Sequence, residues 1–263
     1  MADTPSTPSP ETISESEFHG LLERYQACLA EISDARGSKP GQKTLADLDE
    51  YRYGTALDAF ASGKSDASMG LDHVKTLVEW KLRHGKFRPT LMKLVSSNDS
   101  SFTESTIQKS VKHYRENADV PAALKILTQL KGIGPATASL ILAVHAPEDV
   151  IFFADEAFYW LCSGGSKVPI KYNLDEYIQL NERARALAKR LGVKAVDVER
   201  VAFVLLRQSS EDGGANTDKA PTMTRPDDTS KKPPAKRKVS GDEAGAPLSL
   251  RRSKRSRRAS CTD

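Results

Sequence analysis

The sequence predicts an all-α protein, a bundle of about ten helices between disordered termini. Three observations carry that expectation. Apolar residues recur at three- and four-residue intervals in one segment after another between Phe18 and Leu205, the period of a single helix face. Only one short run, Val150-Ile151-Phe152-Phe153, looks like a strand. No segment repeats another, so the helices of residues 17–207 are expected to form one core or two intimately packed lobes.

The elements follow in order. Residues 1–16, rich in Ser, Thr and Pro up to Pro10, are expected to be a flexible leader. Phe18, Leu21, Leu22 and Tyr25 start the first helical face. Gly37, Pro40 and Gly41 interrupt it, and a second helical stretch runs from about Leu45 to Phe60. Val74, Leu77 and Val78 begin a third helix, which leads into the basic run Lys81-Leu82-Arg83-His84-Gly85-Lys86-Phe87-Arg88-Pro89. Ser101-Phe102-Thr103-Glu104 has a capping-box pattern ahead of Ile107, Val111 and Tyr114. Asp119 is placed to cap the next helix, with Pro121 tolerated in its first turn. That helix carries Leu124, Leu127 and Leu130. A break at 131–134 precedes a helix with Pro135 at its start and Ala138, Ile141 and Leu142 on its face. A helix from about Asp155 to Cys162 comes next. A long one with Leu180, Ala184, Leu187 and Leu191 follows, and a last one with Val198, Val201, Ala202 and Leu205.

Composition divides the chain at residue 208. The segment 208–263 has no aromatic residue, and its bulky apolar residues are Met223, Val239, Leu248 and Leu250. It cannot bury enough surface to offset its chain entropy and is expected to be disordered. It holds 13 Lys/Arg against 8 Asp/Glu, whereas residues 1–207 are near neutral. Any overall attraction to polyanions therefore comes from the tail or a local patch. Cys28, Cys162 and Cys261 show neither zinc nor iron–sulfur spacing, which predicts single thiols in a reducing compartment. No apolar run reaches the length of a membrane span, so no membrane partner is expected, and a soluble intracellular protein is. His73, His113 and His145 have no ligand spacing, and no metal site is expected.

The segment Leu130-Lys131-Gly132-Ile133-Gly134-Pro135-Ala136-Thr137-Ala138 carries most of the functional information. Gly132 and Gly134 permit backbone angles and close approach that other residues resist. The helix that starts at Gly134 or Pro135 leaves free N–H groups near Ala136 and Thr137, backed by the helix dipole, which makes a seat for a phosphate. Lys131 adds charge, and Ile133 plugs the turn into the core. A dinucleotide fingerprint lacks its third glycine, since position 137 is Thr137, and lacks a preceding strand. A purely structural helix–helix turn is the plainer alternative.

This segment resembles the helix-hairpin-helix of the DNA glycosylase superfamily that includes endonuclease III, the adenine glycosylases and the 8-oxoguanine glycosylases. Their motif, Leu-Pro-Gly-Val-Gly-x-x-Thr-Ala, is matched at Leu130, Gly132, Gly134, Thr137 and Ala138, with Ile133 for Val and Lys131 for Pro. The superfamily has an essential aspartate about twenty residues further on, at the start of the next helix. Asp155, in Phe153-Ala154-Asp155-Glu156, lies 21 positions after Gly134. The resemblance implies a helix-hairpin-helix glycosylase-like fold for residues 17–207, double-stranded DNA as partner, a monomer, and Asp155 as the key carboxylate. It also implies that no iron–sulfur cluster is held, since the cysteines for one are absent, and that the hairpin is a place for a monovalent cation. Members with strand-cleaving activity carry a Schiff-base lysine two positions after the second glycine. Ala136 stands there, which implies a monofunctional N-glycosylase of base excision repair.

A carboxylate beside the sugar would stabilise the positive charge that grows on C1′ as a base leaves, and would orient water. The plainer role of Asp155 is to cap its helix. Glu156 is expected to serve the helix dipole. Phe152, Phe153, Phe158, Tyr159 and Trp160 are expected in the core, with one or two free to line a pocket for an extruded base. Within the basic run, Lys81, Arg83, Lys86 and Arg88 fall where the superfamily probes DNA opposite the hairpin, and long basic side chains there would neutralise phosphates.

In the tail, Lys231, Lys232, Lys236, Arg237 and Lys238 form one basic cluster. Arg251, Arg252, Lys254 and Arg255 begin a second. Both read as nuclear import signals, so an import receptor is an expected partner and the nucleus the expected address. The expected function is thus a nuclear DNA-binding protein resembling a monofunctional DNA N-glycosylase. Its rivals are a catalytically inactive DNA- or chromatin-binding or regulatory protein of the same fold, and an interaction scaffold without DNA contact.

Overall fold

The computed structural model describes residues 7–61 and 67–211, with side chains as far as Arg207. The import clusters and Cys261 lie outside the described residues, as does most of the expected tail. The described chain is all-α, as expected. Its helices are α1 (Glu15–Glu23), α2 (Tyr25–Arg36), α3 (Leu45–Glu50), α4 (Ala56–Phe60), α5 (Leu71–His84), α6 (Leu91–Ser96), α7 (Ser100–Asn117), α8 (Val120–Leu127), α9 (Pro135–His145), α10 (Asp155–Ser163), α11 (Leu174–Leu191) and α12 (Ala195–Glu211). None of them is long and apolar enough to cross a membrane.

The stretch read as one helix from Leu45 to Phe60 is continuous but changes pitch. A π-helical turn, Tyr51–Thr55, joins α3 to α4. Its wider turn carries Arg52 into the interior, where the side chain is fully buried. There Arg52 Nη2 stands 3.6 Å from Glu199 Oε2 on α12, and its guanidinium lies 4.8 Å from the Tyr53 ring centroid. Nearby, Asp49 Oδ1 accepts hydrogen bonds from Tyr25 (2.8 Å) and Trp80 Nε1 (2.9 Å). These bonds satisfy polar groups of α2, α3 and α5 inside an apolar core, where an unpaired one would cost several times a hydrogen bond's net worth.

Three expectations need correction. The leader does not extend through residue 16. Ile13 is buried, and Ser14 and Glu17 close a capping box on α1. Trp160 Nε1 donates to the Pro8 carbonyl (2.8 Å), and Arg190 donates to the carbonyls of Pro10 (2.8 Å) and Ile13 (3.0 Å). These bonds seat residues 8–13 on α10 and α11. The cap of α7 is Asp99, whose Oδ1 accepts from Phe102 N at 2.8 Å, rather than Ser101. Val150–Phe153 is extended but pairs with no strand among the described residues. Side chains satisfy it instead: Ile151 N donates to Asn181 Oδ1 (3.2 Å) and Phe153 N to Ser139 Oγ (2.9 Å). That arrangement delivers Asp155 to the start of α10, beside the N-terminal half of α9.

Candidate active site around Asp155

The turn between α8 and α9 spans residues 128–134. Gly132 has φ +78°, and a Cβ there would lie 3.0 Å from Leu94 Cβ and 3.2 Å from Val95 N. Only glycine meets both demands without strain. Asn98 clamps the turn from the end of α6: its Oδ1 accepts from Lys131 N (2.8 Å) and its Nδ2 donates to Lys131 O (2.9 Å). No sequence signal marked Asn98. Ile133 is buried in the core, as expected. Gly134 differs from Gly132. It caps α9 with φ −91°, which any residue adopts, and a Cβ there would meet nothing within 4 Å. Nothing in the fold requires glycine there, and the position opens to solvent.

The phosphate seat is narrower than expected. The Thr137 N–H already donates to the Gly134 carbonyl at 2.9 Å. Of the two expected donors that leaves the Ala136 N–H, on a buried residue behind the exposed Gly134. Lys131 is exposed beside it.

Asp155 is the first residue of α10; the N-cap is Ala154, so the side chain is not a cap. Its carboxylate, 24% exposed, accepts a 2.6 Å hydrogen bond from the Tyr172 hydroxyl on Oδ1 and pairs with Lys86 Nζ at 3.2 Å on Oδ2. Tyr172 lies in the loop before α11 with φ +55°, an uncommon conformation for a residue with a side chain. Burial, followed by the hydrogen bond to Asp155, pushes its hydroxyl far above the ordinary tyrosine range, so it remains a donor. The Arg88 guanidinium lies 5.5 Å from the Tyr172 ring centroid.

Glu156 turns the other way. It pairs with Arg207 Nη2 of α12 at 3.3 Å, and burial raises its pKa above the usual carboxylate value despite that partner. Phe152, Phe153, Phe158 and Trp160 are core residues, whereas Tyr159 is half-buried and feels the Asp155 charge.

The basic run is not one patch. Lys81 reaches across to α9 and donates to Thr137 Oγ1 at 3.0 Å. Arg83, two residues on, points to the opposite side, where it donates to Gln42 Oε1 (3.0 Å) and pairs with Glu79 (3.5 Å). It borders a pocket of about 260 Å³ with Arg36, Leu45 and Phe87 and is not brought to the hairpin. His84 is buried between the Trp80 and Phe203 rings, 4.5 and 4.4 Å away, and burial holds it down to about 3, so it carries no charge at neutral pH. Lys86, Phe87 and Arg88 are exposed, Phe87 to 73%. Lys81, Lys86, Arg88, Thr137, Tyr172 and Asp155 thus form one cluster in which cations outnumber carboxylates.

No family model, curated protein or solved structure matches this chain.

Proposed function

We propose that the protein is a nuclear DNA N-glycosylase of the helix-hairpin-helix kind, releasing a damaged or modified base from double-stranded DNA. The observation that carries this reading is the setting of Asp155. It is a partly exposed carboxylate at a helix start, held by a hydroxyl and an ammonium, two residues after Phe153, whose N–H is tied to Ser139 of the hairpin helix. A duplex phosphate would sit at the Ala136 N–H and Lys131, with Lys86 and Arg88 neutralising its neighbours. The sugar of an extruded nucleotide would then face Asp155. As the C1′–N bond breaks, positive charge develops on C1′, and a fixed carboxylate stabilises it without reorganising. Water adds to the same carbon, giving a base-free deoxyribose. Ala136 leaves that position of the hairpin helix without an amine, so any later strand cleavage must draw on another group.

The test is single-turnover base release over a panel of damaged and methylated bases, with Asp155→Asn as the comparison. Release by the parent and a fall of about two to three orders of magnitude in the variant, with DNA affinity kept, are expected. If the parent releases no base, the enzyme reading fails. The second reading, a DNA- or chromatin-binding protein without catalysis, is favoured by one observation: both Asp155 oxygens already have partners.

A further inference from the structure

The ends of α2 and α5 and the start of α3 enclose a pocket that shares no residue with the Asp155 cluster. Arg36 Nη1 donates to the Arg83 carbonyl and ties the two helix ends together. Leu45 and Leu82, both buried, supply apolar lining, and so does Phe87, at 73% the most exposed large apolar side chain among the described residues. The Arg36 and Arg83 guanidiniums line the same space, and among the described residues no carboxylate does. Arg83 is held in place: Nη2 donates to Gln42 Oε1 (3.0 Å) and Nε pairs with Glu79 (3.5 Å), which leaves Nη1. Glu156, whose charge Arg36 feels, is taken by Arg207. The pocket therefore joins an uncovered aromatic ring to two cations that lack an anion of their own within it.

We propose that this pocket binds a small anion built on a flat aromatic ring, its charged group held by the Arg36 and Arg83 guanidiniums and its ring set against Phe87, Leu45 and Leu82. A guanidinium presents its N–H groups as a planar fork that fits a phosphate or a carboxylate, and it stacks on aromatic faces. An inorganic ion would meet the charges and leave Phe87 bare. An uncharged ring would strip water from two guanidiniums and give them no counter-charge. A ligand that carries both parts answers both. The volume, about 260 Å³, lies just under that of drug-sized pockets, which suits one ring system and its charged group. Nucleoside monophosphates and free aromatic acids share this chemistry. The site requires neither DNA nor Asp155. Lys86 and Arg88, the chain neighbours of Phe87, belong to the Asp155 cluster, so the two sites share a loop and no side chain.

The full chain is titrated in a calorimeter with 1-naphthyl phosphate, 1-naphthoate and adenosine monophosphate. Inorganic phosphate and hexanoate, which lack the ring, serve as comparisons. At least one aromatic anion should bind one to one with a Kd of about 1 mM or tighter. Phosphate and hexanoate should bind at least about threefold more weakly. Adenosine monophosphate binding more tightly than the naphthyl compounds assigns the site to a nucleotide, and the reverse assigns it to an aromatic acid. Arg36→Gln should weaken the best ligand about tenfold or more, and Phe87→Ala about threefold or more. Lys125→Gln, at an exposed position on α8, should bind as the parent does. Phe87→Ala changes an exposed side chain, so it judges the proposal even where loss of the bond to Arg83 unfolds Arg36→Gln. The proposal is overturned if none of the three aromatic anions binds, or if phosphate or hexanoate binds as tightly as they do. Unchanged affinity in Phe87→Ala, or in a folded Arg36→Gln, overturns it as well. None of these outcomes bears on base release, so the glycosylase reading stands or falls by its own assay.

Discussion

The Tyr172 hydroxyl donates to Asp155 Oδ1 at 2.6 Å across 17 residues of chain, and Tyr172 holds a left-handed backbone while doing so. A side chain kept at positive φ persists only where its surroundings over-determine it, which happens most often at functional sites. The bond fixes one carboxylate oxygen and leaves the other to Lys86.

The first prediction concerns that bond. Tyr172→Phe removes the donor and keeps the ring against Phe153. Base release in single turnover should fall about tenfold, since one hydrogen bond to a charged group is worth about 1.5–3 kcal/mol and Lys86 remains. Stability, read by urea denaturation, should change by less than about 1.5 kcal/mol. An unchanged rate would make Tyr172 a packing residue only.

The two hairpin glycines should behave differently. Gly132→Ala meets a positive φ and atoms 3.0–3.2 Å away, and should cost about 1–3 kcal/mol in thermal or urea unfolding. Gly134→Ala meets nothing and has an ordinary φ, so stability should hold within about 0.5 kcal/mol. Gly134→Glu places a negative charge at the open end of α9. It should keep its helical circular dichroism and weaken binding to every duplex, by about 1–2 kcal/mol in fluorescence anisotropy titrations. Undiminished affinity would leave the turn purely structural.

Lys81 should carry a stability cost that depends on pH. Its folded amine titrates near 8 and its unfolded one near 10.5, so between those values the unfolded chain binds more protons. Stability of the parent therefore rises with pH across that window, and below it the full penalty of a buried ammonium is present. Lys81→Met should be more stable than the parent at pH 7 by about 1–2 kcal/mol, after discounting the lost bond to Thr137. The advantage should shrink by pH 10. Equal stability at both pH values would mean the ammonium is well solvated.

Removing residues 228–263 takes away both basic clusters. The shortened chain should keep its thermal transition and lose nuclear accumulation in a fluorescence localisation assay. Retained accumulation would show that the clusters are not import signals.

Local features were legible in the sequence. The helix starts at Asp119 and Pro135 depend on residues within one turn of each other, as does Ile133 between its glycines. The spacing from Gly134 to Asp155 sets the two at the starts of successive helices, α9 and α10, joined by the extended run after α9. Groups that come from a distance were not legible. Asn98 lies 33 residues from Lys131, and Tyr172 comes from a loop without periodicity. Arg52 occupies a position where a helix face should be apolar, and a change of pitch put it there. Arg83 could have been separated from Lys81 at the outset, since residues two apart on a helix point to opposite sides.

The bonds from Trp160 to Pro8 and from Arg190 to Ile13 close loops of 152 and 177 residues. Bundles of local helices usually fold quickly because their contacts are near in sequence, and these are not. During synthesis residues 8–13 emerge first and must wait for α10 and α11 before they have anything to rest on. The brace on α10 needs Pro8 and Trp160 together, and the one on α11 waits for Arg190, so this side of the bundle closes through contacts far apart in sequence.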